Sequence, residues 1–351
     1  MDVHEELLRG PRGRRWCLNC VSDVDEAVAS SLFWLARERD PHPGTLLRFG
    51  SGEPDAHEDP SFTDVEVAAA IDSADVSAVT PAIARAALAS SVDIARYWQE
   101  PDGTDIVAAL PIVRASLSTV ASRLAVVMPE LTAPAAVQQW TVQWCPVSES
   151  APIERSAAEI LQRWSIEQHE DEQRSRRERP ADPRANWSGT WWSVPQQLLA
   201  SRGTPLAALD MVEDPLGWEV ATVVPISGRG EILEIGSADD WARLCRAYPT
   251  EVTASRRHDW FRVTGRDGRW LIPDWERVAQ RWDAVHLTTL GYLSAATTLI
   301  PIDDEYASVI AGWGPDSTIW LTDSARETDG RRMQWERAGN SAQWRVADAA
   351  S

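Results

Sequence analysis

The stretch AVHLT, residues 284–288, places a histidine in a strand-like alternation. Val285 and Leu287 fall on one face, His286 and Thr288 on the other. Imidazole titrates close to neutrality, so on the floor of a cleft His286 could exchange a proton or orient a ribose hydroxyl. On an ordinary half-exposed strand it would only bond to a neighbour. Asp283 stands at the helix-to-strand corner, where it either orients a reacting group or caps a turn. SRRHDW (255–260) gathers Arg256, Arg257, His258 and Asp259 ahead of an expected strand, WFRVTG. A guanidinium there could clamp a phosphate or carboxylate through two parallel bonds, or the cluster is a solvated loop. In GTWWSVP (189–195), strand alternation sends Trp191 and Trp192 to opposite sides. Trp192 beside Ser193 would then suit stacking on nicotinamide or adenine, although two buried rings fit equally well. Asp316 lies in a Gly/Pro turn and reads as a local Asx turn.

Stronger signatures are absent. The chain has no GxxxxGK[ST], GxGxxG, HExxH or GxSxG. GSGEPDAHEDP (50–60) has glycines and acids without a strand–helix context, and Glu53, Asp55 and Glu58 belong to an acidic run read as a solvated loop or a partner-facing surface. Cys17 and Cys20 form a CxxC with no second ligand pair, so no metal site is expected and the thiols read as reduced and structural.

Certain elements must position these residues. VDEAVASSLFWLARER carries an apolar stripe of Val24, Val28, Leu32 and Leu35. Two further helical segments follow, and Pro111 starts a fresh helix. VQQWTVQWCPV alternates like a strand, and SAAEILQRWSIEQHEDEQRSRRERPADPR begins as a helix before turning charge-dense. WEVATVVPI and EILEI read as strands. SADDWARLCRAYP reads as a helix with Ser237 at its N-cap and Asp240 at N3. RWLI then DWERVAQRW repeat strand and helix, with Asp274 as cap. The expected fold is α+β: a helical N-terminal part, then a Trp-rich, mostly antiparallel sheet domain with short helices. The expected boundaries are 1–130 helical, 131–164 a joining strand and helix, 165–186 a mobile charged linker, 187–325 the α+β catalytic domain, and 326–351 a loose tail.

A net charge of −19 argues against duplex nucleic acid as a partner, and no apolar run reaches the length of a membrane span. RGPRGRR (9–15) reads as a frayed terminus or a basic arm for phosphates. Without an apolar leader the chain reads as cytoplasmic. All 34 basic residues are Arg, and 16 of the 19 Trp lie from Trp140 onward. A high-GC genome accounts for much of the missing Lys, and avoidance of lysine-directed modification is the other explanation.

The order GTWWSVP (189–195), DWERVAQRWDAVHLT (274–288) and AGWGPDSTIWL (311–321) resembles bacterial proteins with an ADP-ribosyltransferase-like fold, over roughly residues 135–323. The resemblance implies NAD held across a split sheet and transferred to a protein, nucleobase or small-molecule acceptor, as a toxin or defence effector would do. It implies a stacking aromatic and hydroxyl near the nicotinamide, assigned to Trp192 and Ser193, and cofactor contacts from Arg257, His258 and Thr288. His286 and Asp283 would be catalytic. Such proteins carry Glu where this chain has His286, so the carboxylate would come from elsewhere, such as Glu234 or Asp283, or the module would bind without catalysis. The other readings are a non-enzymatic interaction protein with an acidic, Trp-rich surface and a biosynthetic enzyme using His286 as general base.

Overall fold

The computed structural model describes residues 2–45, 59–153, 156–213, 217–339 and 343–347. GSGEPDAHEDP and its acids Glu53, Asp55 and Glu58 lie almost wholly outside them. The chain divides into two compact units, Met1–Ser91 with Glu100–Met128, and Val92–Gln99 with Pro129–Ser351. It is an α+β protein, with helices preceding the strand-rich part.

The first unit is built from α1 (Val3–Arg9), α2 (Pro11–Ser22), α3 (Glu26–Arg39), α4 (Asp64–Ser73), α5 (Pro81–Asp93), α6 (Gly103–Ala109) and α7 (Pro111–Val127). Local signals explain their limits. Asp25 caps α3 by accepting from Val28 N, Thr63 and Glu66 form a reciprocal capping box on α4, and Pro111 occupies the first turn of α7. Val28, Leu32 and Leu35 face the core as their spacing requires, whereas Val24 precedes the helix. RGPRGRR is neither frayed nor a phosphate arm. Arg12 pairs with Asp105, and Arg15 Nη1 meets Asp102 Oδ1 at 2.8 Å, both arginines being buried. Cys17 and Cys20 are fully buried, and burial pushes both thiols up, Cys17 to about 12, so neither is a reactive thiolate. No single helix among the described residues is long and apolar enough to cross a membrane.

Among the described residues, the second unit holds three sheets. The first joins β1 (Gln138–Gln143) to β3 (Val220–Gly228), which also pairs with β11 (Ala325–Glu327) and β12 (Met333–Glu336), and β12 pairs with β13 (Arg345–Val346). The tail therefore contributes strands, and Trp344 is buried. The second runs β2 (Ala200–Ser201), β10 (Ser317–Trp320), β7 (Ala284–Leu287), β4 (Ile232–Ile235), with β4 and β7 parallel. The third runs β5 (Pro249–Glu251), β6 (Arg269–Pro273), β9 (Tyr306–Ser308), β8 (Ile300–Pro301). Helices α8 (Ala157–Glu178), α9 (Pro205–Asp210), α10 (Ala238–Ala247), α11 (Thr253–Thr264), α12 (Trp275–Val278) and α13 (Thr289–Ala295) complete it. Ser237 caps α10 with Asp240 reaching back to Gly236 N, and Asp274 caps α12.

Three expectations are overturned here. The charged segment is no linker, because α8 runs through it to Glu178 with Gln168, Asp171, Glu172 and Ser175 buried. Its inward face is polar because it serves α11. Glu172 accepts from Ala254 N at 3.0 Å and Ser255 N at 2.9 Å, satisfying first-turn amides that the N-cap Val252 leaves without a side-chain bond. SRRHDW and WFRVTG are neither loop nor strand but α11 itself, which ends on Gly265 at φ +72°. GTWWSVP forms no strand, and Trp191 and Trp192 do not diverge, their rings lying 4.9 Å apart.

Arg256 of α11 is completely buried. It donates to Gln168, to Ser255 Oγ at 3.0 Å and to the Trp192 carbonyl at 3.0 Å, and lies 3.8 Å from Asp171 Oδ2. Burial lowers its pKa to about 10 against the pull of Asp171 and Glu172. Breaking such a cluster from one side leaves an uncompensated charge. Arg256→Ala or Asp171→Ala should therefore cost about 3–5 kcal/mol in urea unfolding, while Arg257→Ala on the same helix should cost about 0.5 kcal/mol or less. Equal costs would show that the cluster does not anchor α8 to α11.

Candidate functional site

The second unit carries a cleft of about 780 Å³. The second half of β1 and Trp144 just after it supply one wall, residues 140–144, with Trp144 stacked on Trp218 at 4.5 Å. The irregular segment around Trp191 and Trp192 supplies another wall, with Trp98 and Trp320 adding further rings. Trp191 also lies against Trp98 at 4.7 Å and stacks on the buried Tyr97 at 5.3 Å. Arg202, Glu213 and Gln196 bring polar atoms to these walls.

The segment is held in place by side chains rather than by a ladder. Trp260 Nε1 donates to the Trp191 carbonyl, Arg256 Nη2 to that of Trp192 and Trp275 Nε1 to that of Ser193, each at 3.0 Å. Ser193 is buried and bonds through N and Oγ to the Ala311 carbonyl, while its Oγ accepts from Ala311 N. Gly312, at φ +73°, is required next to this segment, since a Cβ there would come within 2.4 Å of Trp192 Cδ1. Arg202 donates through Nε to Pro315 O and through Nη2 to Met211 O, so its guanidinium is fixed where it meets the cleft. Tyr97 donates its hydroxyl to Glu213, and burial followed by that carboxylate raises its own pKa well above the usual range.

The residues singled out in the sequence do not converge on this cleft. Trp192 lines it. Ser193 sits behind it as a structural bond. Arg257 lies on α11 and donates to Pro180 O. His258 is buried on the same helix with neither ring nitrogen hydrogen-bonded, and its pKa is lowered by burial and then by Arg257. Thr288 is the N-cap of α13, accepting from Gly291 N at 3.0 Å. Asp283 accepts from Glu231 N and Thr322 Oγ1 and so fixes the corner before β7.

His286 is 1% exposed, because both faces of β7 are covered. Register places it between Glu234 of β4 and Thr318 of β10. Nδ1 lies 2.9 Å from Thr318 Oγ1, while Nε2 faces Glu234 Oε2 at 3.8 Å and Asp316 Oδ1 at 3.9 Å. Burial lowers its pKa to about 4, opposed by the Ala133 carbonyl. Burial raises both carboxylates. Asp316 is no local Asx turn: at φ +49° it reaches across to accept from Gly203 N at 2.9 Å.

The signal for the cleft was present in WTVQW, whose alternation sets Trp140 and Trp144 on one side. Arg202 and Glu213 carry no motif. Comparison with protein-family models, curated proteins and solved structures gives no match.

A neutral buried histidine binds fewer protons when folded than when unfolded, so its contribution to stability is intact above about pH 6.5 and is lost as pH falls toward 4. The raised carboxylates act with the opposite sign, so the comparison must be made against a variant. In buffer free of divalent cations, stability should fall between pH 7 and pH 4 by about 3 kcal/mol more in the native protein than in His286→Asn. Parallel pH profiles would contradict the sealed, neutral histidine.

Proposed function

We propose that the second unit is an NAD-binding, ADP-ribosyltransferase-like enzyme whose site is the tryptophan-walled cleft. The observation that carries this reading is a cavity of about 780 Å³ with indoles on its walls and Arg202, Glu213 and Asp323 among its lining, which offers ring faces for stacking, one cation and two carboxylates. In this reading Trp191 and Trp192 take a planar ring, and Arg202 faces the pyrophosphate. Glu213 stabilises the cation that develops at the ribosyl carbon. The glycosidic C–N bond breaks with its electron pair leaving on nicotinamide, the acceptor's nucleophile bonds to the ribosyl carbon, and the acceptor surrenders its proton. The acceptor is a protein, a nucleobase or a small molecule.

Glu213 would supply the carboxylate for which Glu234 and Asp283 were the expected sources. Asp283 is committed to its corner, and neither Glu234 nor His286 lines the cleft. A general base at His286 finds no support, since a 1% exposed ring has no face for a substrate. A binding module without catalysis shares the same cleft, and the bond from Tyr97 to Glu213 favours it to the extent that this carboxylate is already engaged.

Two measurements separate these readings. Titrating NAD against indole fluorescence should give saturable quenching, and Trp192→Ala should weaken binding about 5- to 150-fold, the worth of one base stacked on one aromatic ring. Nicotinamide release should then fall about 10²-fold or more in Glu213→Gln with NAD affinity little changed. Absence of any response at millimolar NAD overturns the proposal, and binding without nicotinamide release by the native protein leaves the module.

A further inference from the structure

Tyr97 lines no part of the cleft, yet it touches two of the groups that do. Its ring stacks on Trp191 with centroids 5.3 Å apart and planes 14° from parallel, while its hydroxyl donates to Glu213 Oε1. One side chain therefore meets both a wall ring and the carboxylate. It belongs to Val92–Gln99, a segment of the second unit although the chain on either side of it is part of the first. Core packing makes the support rigid. Tyr97 is completely buried and clusters with Ala95, Val252, Trp260, Trp270 and Ile272. Arg262 fixes the next residue, its Nε donating to the Trp98 carbonyl at 2.7 Å and its Nη2 to Asp259. A close-packed ring cannot turn without disturbing its neighbours, so the fold sets where the hydroxyl points.

We infer that Tyr97 is a positioning residue of the cleft, holding the stacking ring Trp191 and the carboxylate Glu213 in one fixed relation. The inference rests on the reading of the cleft as an NAD site, in which the ring meets the cofactor and the carboxylate faces the ribosyl cation. A phenol O–H donated to a carboxylate favours its ionised form, and it is already in place when charge develops on the ribosyl carbon. The bond thus aims Glu213 and leaves it charged. Tyr97 remains a donor at neutral pH, because burial and then the adjacent carboxylate raise its pKa well above the usual phenol value. Two other groups bear on the pair. Burial lowers the pKa of Arg202, with Asp316 and then Glu213 acting against it, so this guanidinium also senses the carboxylate. Tyr292 of α13 acts on Tyr97. What Tyr97 adds is the link from the carboxylate to the stacking ring.

Tyr97→Phe in the full chain removes the hydroxyl and keeps the ring. NAD affinity, read from indole quenching, should stay within about 3-fold of the native value. Nicotinamide release at saturating NAD should slow about 10- to 150-fold, the loss expected for one hydrogen bond to a charged group. The acid limb of its rate–pH profile should move to higher pH. In a Glu213→Gln background the same change should alter the residual rate by less than about 2-fold, because the two side chains act as a unit. Tyr97→Leu, which removes ring and hydroxyl together, should weaken NAD binding as well. A native rate in Tyr97→Phe would overturn the inference and leave the NAD site standing. So would rate and affinity falling together with the acid limb unmoved, or an undiminished loss in the Glu213→Gln background. A native chain that binds no NAD, or binds it without releasing nicotinamide, fails the reading of the cleft itself and takes the inference with it.

Discussion

The second unit depends on one buried guanidinium. Arg256 cannot lose its charge cheaply and cannot reach water, so the surrounding chain must bring acceptors to it. Helix α8 brings Gln168 and Asp171, and for that it must stay helical well past its last apolar residue. Glu172, one position on, then meets the N-terminus of α11 with two amide bonds. Arg174 and Arg179 also bond to Asp171, so this one carboxylate gathers guanidiniums from α8, its C-cap and α11.

The same guanidinium reaches the cleft. Its Nη2 holds the Trp192 carbonyl, and the indoles of Trp260 and Trp275 hold the carbonyls on either side. Indole carries one donor on a large apolar body, so a buried Trp fills the core and anchors a backbone oxygen with the same side chain. These two indole bonds and the one from Arg256, with Ser193 locked to Ala311, allow a stretch with no ladder partners to present Trp191 and Trp192 together. The cleft thus rests on an irregular wall made rigid from behind, facing a regular wall supplied by β1. The Glu234–His286–Asp316 set follows a different logic. Strand register brings Glu234 and Thr318 beside His286, and the turn before β10 adds Asp316.

Much of the framework was legible because its causes are local. Ser237 with Asp240, Asp274 before α12, and Pro111 opening α7 are signals contained in a few residues. The strands β3 and β4 announce themselves by composition. What was not legible has distant causes. The bonds that hold residues 191–193 come from donors 64, 69 and 82 residues away, so alternation alone suggested a strand with diverging rings. The second half of α8 lacked an apolar stripe because its buried face is ionic, and polar burial imitates a linker. The alternation around His286 was readable, but the burial of its second face was not, because its polar neighbours arrive from β4, from the turn at Asp316 and from the loop at Ala133.

The central claim is that this rigidly backed, tryptophan-walled cleft is where NAD binds. A crystal structure of the chain grown with NAD at saturating concentration tests it most directly. The account predicts a planar ring against Trp191 and Trp192, with the diphosphate toward Arg202. NAD bound elsewhere on the chain, or an empty cleft at saturation, would contradict it.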